Sequence, residues 1–197
     1  MVIESGVSFP RPGHAVFGTA LGYMALAWSG RGLTRVCLPE KTQAAAERRL
    51  LRLAGEPDAE RAGAADAPDW IATLIGDIRR YAEGVDVDFS SVPVDLAGVD
   101  RFRLDIYAAA RRLGYGETTT YGGLAESSGH KGMFRETGAA LGANPVPLVV
   151  PCHRILAAGG KIGGFSATGG SATKEKMLEL EGVRRGPPPD QQASFGF

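Results

Sequence analysis

Cysteine and histidine are scarce in this chain. There are two cysteines, Cys37 and Cys152, and three histidines, His14, His130 and His153. The thiols lie far apart in sequence, which gives no disulfide framework in a chain of this size. No Cys-x-x-Cys or His-x-x-x-His spacing occurs, so a structural zinc site has little support and no metal is expected. No apolar run approaches the roughly 20 residues that span a bilayer. The opening residues, MVIESGVSFPRPGH, lack the basic start and apolar core of a secretory signal. The expectation is an intracellular, cytoplasmic protein with no membrane partner, and nothing signals an oligomer, so a monomer is expected. Net charge is absent too, 22 Lys and Arg balancing 22 Asp and Glu. The glycine-rich stretch AAGGKIGGFSATGG has Ile162 after Gly160-Lys161, which disfavours a nucleotide-binding P-loop.

What is present is ordinary in bulk and uneven in detail. The 197 residues are 44% hydrophobic and 22% charged, enough for one domain with a substantial core or two small ones. Residues 1–100 carry 10 Lys and Arg against 14 Asp and Glu, a net of −4, whereas residues 101–170 carry 8 against 4, a net of +4. A mildly basic middle suits phosphate contact and equally suits a plain solvated surface.

Local pattern divides the chain. HAVFGTAL, GYMALAWSG and GLTRVCLPE are short apolar or alternating runs separated by Leu21-Gly22 and by residues 29–32, which predicts an antiparallel meander over residues 14–39. Cys37 falls in its third run and reads as a buried core thiol. KTQAAAERRLLRLAG predicts a helix over 41–55, and residues 56–67 a surface loop. In PDWIATLIGDIRRYAEG, Trp70, Ile71, Leu74, Ile75, Ile78 and Tyr81 share one helical face. Residues 85–98 read as extended. Residues 1–98 therefore form a small α/β domain.

Residues 99–184 form a mostly α second domain. Phe102, Ile106, Tyr107, Ala110 and Leu113 recur at helical spacing, with Asp100 as N-cap and Gly114 as the stop. Two short helices follow, over 121–127 and 133–141, around a turn holding Gly129 and Gly132. That is the outline of a helix-turn-helix, a motif that also occurs in folds that never touch DNA. The helix SATKEKMLELEG places Met177, Leu178 and Glu181 near its inner side, and residues 185–197 form a flexible tail.

The reactive candidate is Cys152, in PVPLVVPCHRI. A thiol attacks as thiolate, so a neighbour must lower its pKa or take its proton. PVPLVV reads as a rigid strand with Cys152 at its end. In a strand His153 points away from Cys152, so a turn or a bridging water is needed to connect them. Glu181 is a candidate to orient the imidazole. A buried structural cysteine, with His153 and Arg154 in ordinary hydrogen bonds, competes with this reading.

Three strings, YGETTTYGGLA, RETGAALGANPVPLVVPCHRI and GGKIGGFSATGG with TKEKMLELEG, make residues 102–182 closely resemble the O6-alkylguanine-DNA alkyltransferases, also called methylated-DNA–protein-cysteine methyltransferases. FGTALGYMALAWSGRGLTRVCLP resembles the family's first half more loosely, and the resemblance implies that this half is ribonuclease-H-like and mainly structural. It implies DNA repair without a cofactor. The partner is double-stranded DNA carrying alkylated guanine, whose damaged base is flipped out of the stack. Cys152 takes the alkyl group from O6 of guanine, with O4 of thymine as a second lesion. The thioether formed consumes the protein.

The resemblance also assigns roles. His153 takes the thiol proton through water and Glu181 orients it. Tyr121 donates to guanine N3 and turns the phosphate. Arg135 fills the gap left by the flipped base, with Phe134 and Gly138 beside it on the DNA-binding helix. Asn144 braces the turn before the cysteine. The carbonyls of Cys152 and Ile155 read the guanine amine, Ser166 meets O6, and Pro147 and Phe165 wall the pocket. Where family members carry small residues ahead of the arginine, this chain has the bulky Phe134, a candidate apolar wedge, and the acidic Glu136 follows the arginine. The loop SATGGSATK, residues 166–174, is about two residues longer than the family spacing, which predicts tolerance for larger alkyl groups. Two other functions fit parts of the pattern: a sensor of alkylated bases without chemistry, and an unrelated Cys-His hydrolase.

Overall fold

A computed structural model describes residues 12–54 and 67–183. The loop expected over 56–67 lies outside the described residues except for Ala67, and the tail expected over 185–197 lies wholly outside them.

The meander forms as its alternation predicts. Strands β1 (Gly13–Thr19), β2 (Gly22–Ser29) and β3 (Gly32–Glu40) pair antiparallel in that order. Successive side chains of a strand face opposite ways, and β2 sorts its residues accordingly. Ala25 packs with Cys37, and both meet Ala46 and Leu50 of helix α1 (Gln43–Ala54). Met24, Leu26 and Trp28 join the larger core with Ile71, Leu74, Ile75 and Ile78 of helix α2 (Asp69–Ala82). Each fully buried aliphatic side chain of this kind contributes about 1.5–3 kcal/mol. Cys37 is the core thiol its pattern suggests, and burial pushes its pKa up to about 11.

Residues 85–98 are less regular than an extended strand. They meet the sheet at one parallel bridge, Leu33 with Val94, flanked by Leu33 N–H donating to Pro93 O (2.9 Å) and Asp95 N–H to Leu33 O (2.8 Å). Pro93 has no N–H to extend the ladder. The approach requires Gly32, since a Cβ there would sit 2.8 Å from the Pro93 backbone.

Helix α3 (Arg101–Ala110) starts on Asp100, whose carboxylate accepts from Arg103 N–H at 2.9 Å, a cap worth about 1 kcal/mol. It ends short of the expected Gly114. The chain tightens at Ala110 into shorter-range bonds, Arg112 N–H to Ala109 O and Leu113 N–H to Ala110 O, as helix ends often do. Helices α4 (Tyr121–Ser127) and α5 (Phe134–Gly142) follow, joined by a turn in which Gly129 and Gly132 take positive φ. Tyr107 of α3 donates to Ala140 O at 2.8 Å, fixing α5 from beneath. The short strands β4 (Thr119–Thr120) and β5 (Ile155–Leu156) pair parallel, tying the start of α4 to the segment after Cys152. Helix α6 (Ser171–Leu180) closes the fold with Met177 and Leu178 buried. Among the described residues, no helix is long and apolar enough to cross a membrane.

Candidate active site

PVPLVV is not a strand. Pro145 and Pro147 lack the N–H groups a ladder needs, and the segment folds into tight turns instead. Asn144 staples them: its Nδ2 donates to Val150 O (2.9 Å) and its Oδ1 accepts from Val146 N–H (3.0 Å). Val150 N–H reaches Val146 O at 2.9 Å, and Val36 N–H of β3 donates to Pro145 O at 2.9 Å. Leu148 is buried at φ 78°, a left-handed conformation that costs a leucine on the order of 1–3 kcal/mol and persists where the surroundings over-determine it. Cys152 is thus preceded by cross-bonded turns, not by a strand.

Cys152–Arg154 form one turn of 3-10 helix. Three residues per turn set adjacent side chains about 120° apart rather than opposed, so Cys152 opens toward the surface cavities while His153 and Arg154 turn inward. The thiol is buried, 8% exposed. Burial raises its pKa, against a hydrogen bond from Asn144 and the positive charge of Lys174. At neutral pH the resting group is the thiol, and attack requires a base.

His153 is the adjacent imidazole. It is fully buried, with Nε2 at 2.7 Å from Glu181 Oε1. An ionised carboxylate only accepts, so Nε2 carries the hydrogen and Nδ1 keeps its lone pair. Nδ1 is buried without a protein partner among the described residues. Burial lowers the His153 pKa, outweighing the hydrogen bond to Glu181 and its charge, so the ring is neutral at pH 7.

Glu181, which caps α6, is held on every side. Arg154 donates through Nε (2.9 Å) and Nη2 (3.0 Å), Tyr81 through its hydroxyl (2.8 Å) and Gly116 through its N–H (3.0 Å). Burial pushes its pKa upward, but the hydrogen bonds and charges of His153 and Arg154 together prevail and hold it at about 2. Arg154 spends its remaining reach on Leu113 O at 2.6 Å.

Tyr81, Arg154 and Lys174 are site residues that the sequence reading did not assign. Tyr81 lies on the apolar face of α2, where its hydroxyl carries no sequence signal. Arg154 sits in the motif, but its partner is 27 positions away. Lys174 was legible, because it lies seven residues before Glu181 and therefore on the same helical face. It is fully buried, donates to Ile155 O, and holds its ammonium 5.6 Å from the Tyr121 ring centre and 6.0 Å from that of Phe165.

Above the thiol lies a cavity of about 520 Å³ lined by Tyr121, Phe134, Arg135, Gly138, Phe165 and Ser166, with Cys152 at its floor. Phe134 is 53% exposed, and the Arg135 guanidinium lies 5.7 Å from its ring centre. Glu136 is exposed beside them. Ser166 Oγ donates to Gly142 O (2.9 Å), joining the loop to α5. Pro147 lines a second cavity together with Cys152, Phe165 and Ser166, and the Ile155 carbonyl, expected to read the guanine amine, accepts from Lys174 while its side chain is buried in the core. Among the described residues, no group of three His, Cys, Asp or Glu side chains could hold a metal ion.

Tyr121 is positioned by close contact. A Cβ on Gly163 would lie 2.7 Å from its hydroxyl and 2.8 Å from its ring. Gly163→Ala should displace the phenol with little loss of stability. The expected result is a 10- to 100-fold slower reaction at Cys152, the usual cost of misplacing a positioned group by about 1 Å, with the unfolding midpoint nearly unchanged; single-turnover kinetics beside a denaturant titration read both.

Comparison with known proteins identifies the family. Residues 101–183 match the family model of the 6-O-methylguanine DNA methyltransferase, DNA binding domain. The methylated-DNA–protein-cysteine methyltransferase of Mycobacterium tuberculosis (strain H37Rv) is 33% identical over 171 residues, covering 87% of this chain and 93% of that protein. That of Methanothermobacter thermautotrophicus is 35% identical over 116 residues, covering 59% of this chain and 64% of the relative. A crystal structure of Mycobacterium tuberculosis OGT in complex with DNA superposes with a TM-score of 0.66 at 28% identity, covering 86% of this chain and 92% of that one. This chain belongs to the methylated-DNA–protein-cysteine methyltransferase family.

Proposed function

We propose that this protein repairs DNA by moving an alkyl group from O6 of guanine, and secondarily from O4 of thymine, onto Cys152, once per chain. The observation that carries the reading is the buried Glu181–His153 pair next to Cys152, which lines a cavity edged by Arg135. Glu181 fixes the His153 tautomer, and Nδ1 accepts the Cys152 proton through a bridging water. The thiolate attacks the alkyl carbon as the C–O6 bond breaks, and the electron pair moves onto O6. Tyr121 donates toward the base as negative charge builds on it, and the proton from the thiol leaves a neutral guanine. The displacement balances with no cofactor. Water does not cleave the thioether, so no turnover follows.

The division of labour belongs to the same proposal. Residues 1–98 act as a ribonuclease-H-like support, contributing Tyr81 to the relay. Residues 99–184 carry the chemistry, with α4 and α5 as a helix-turn-helix that lays α5 on the duplex. Base flipping costs a few kcal/mol. Arg135 offsets part of it by stacking in the vacated space, and Phe134 acts beside it as an apolar wedge. Asn144 joins α5 to the nucleophile, Gly138 lies beside Arg135 on the DNA-binding helix, and Ser166 and Phe165 bound the flipped base.

The test is stoichiometric. Duplex DNA with a labelled O6-methyl group should pass one label to each chain and then stop. Release of labelled product over many cycles would indicate a hydrolase, and tight lesion binding without label transfer would indicate a sensor.

A further inference from the structure

A second cavity adjoins Cys152. It measures about 190 Å³ and runs from Cys152 and Pro147 to Arg35 of β3 and Arg49 of α1. It shares Leu141, Gly142, Phe165 and Ser166 with the larger cavity, so the thiol sits where the two meet.

In-line displacement explains why such space matters. The alkyl carbon lies between the sulfur and O6, and its other substituents splay into the plane perpendicular to that axis. With the base in the larger cavity, anything attached to the reacting carbon needs lateral room beside Cys152. A methyl group carries only hydrogens and leaves the second cavity unused.

The charge of the walls is one-sided. The described residues lining the cavity include two arginines and no carboxylate. Arg49 is already engaged: it pairs with Glu40 (3.4 Å) and holds the active-site loop through Thr168 Oγ1 (2.6 Å) and Ser166 O (3.1 Å). Arg35 is not. It forms no ion pair among the described residues, and its Nε is buried without a partner there. A buried donor left unmatched is unfavourable, and a carboxylate is the acceptor whose geometry fits a guanidinium.

Resting on the repair reading, we propose that this cavity is a subsite for O6 substituents ending in a carboxylate, with Arg35 as the residue that selects them. O6-carboxymethylguanine is the smallest such lesion. Cys152 attacks its methylene carbon, the S–C bond forms as the C–O6 bond breaks, the electron pair passes to O6, and the thiol proton neutralises the released guanine. The product is S-carboxymethylcysteine, its carboxylate paired with Arg35.

Single-turnover rates on duplexes carrying O6-carboxymethyl-, O6-propyl- and O6-methylguanine test this in the full chain. Propyl matches carboxymethyl in reach but is neutral. In the wild type, carboxymethyl should react at least as fast as propyl. Arg35→Gln should lower the carboxymethyl-to-propyl ratio about tenfold or more, the scale of losing a hydrogen bond to a charged group, and Arg35→Lys should restore part of it. An unchanged ratio in Arg35→Gln, or a wild type that takes propyl but rejects carboxymethyl, overturns the subsite and leaves the repair reading standing. A wild type that accepts no alkyl group from any of the three duplexes overturns both.

Discussion

Cys152→Ser should accept no methyl group from an O6-methylguanine duplex, with a rate at least about a thousandfold below wild type, while still binding the lesion. A hydroxyl is a far weaker acid than a thiol, and a neutral imidazole at the second position of the relay cannot ionise it to a useful degree. The fold should tolerate the exchange. Serine is slightly smaller, and Asn144 can direct the hydrogen bond it gives the sulfur to the oxygen instead. The measurement pairs label transfer with a gel-shift titration on the same duplex. Label on the serine variant would move the assignment to another nucleophile. The remaining thiol, Cys37, is a poor candidate because it is buried behind α1 with a pKa near 11.

Glu181→Gln should damage chemistry and stability together. Without the carboxylate, nothing stabilises the imidazolium that forms as His153 takes the proton, and the tautomer is no longer dictated. A loss of about 10²–10⁴ in rate is expected, the range of a positioned general base and its orienting acid. Arg154, 5% exposed, would be left as a buried cation without its counter-ion, a change that costs about 3–5 kcal/mol. Rates at a temperature well below the unfolding midpoint, together with urea titrations, separate the two effects. An unchanged rate in folded protein would remove Glu181 from the relay.

The pH dependence of the wild type carries the same signature. Glu181 has its folded pKa depressed to about 2, so its contribution to stability is fully present above its unfolded value near 4.5 and is lost as pH falls toward 2. His153 is also depressed, so protonating it opposes folding once pH drops below its ordinary value of about 6.5. Both act in one direction. Wild-type stability should fall with acidification from about pH 6.5 down, and Glu181→Gln should lose the part of the fall below about pH 4.5.

Much of the architecture was legible because it is written in periodicity. The period-two runs of the meander, the apolar face of α2 and the Asp100 cap are local facts, and the structure repeats them. The failures are also physical. PVPLVV carries strand-forming side chains, but two missing N–H groups and the Asn144 staple favour turns. Gly114 looks like a helix stop, yet α3 tightens and ends at Ala110 before reaching it. Residues 85–98 look extended but meet the sheet at a single bridge.

The sequence by itself determined which atoms are reactive and the order in which they occur: one thiol beside one imidazole, with a capping glutamate downstream. The tertiary structure alone decided their environment. The 3-10 turn aims Cys152 outward and His153 inward. Tyr81 arrives from the other half of the chain, and Arg35 and Arg49 come to line a cavity at the thiol. Relations of this kind depend on packing between segments as much as 100 positions apart, as with Tyr81 and Glu181. No local propensity encodes them, because the energy that brings such segments together is the burial of apolar surface, which has no direction of its own.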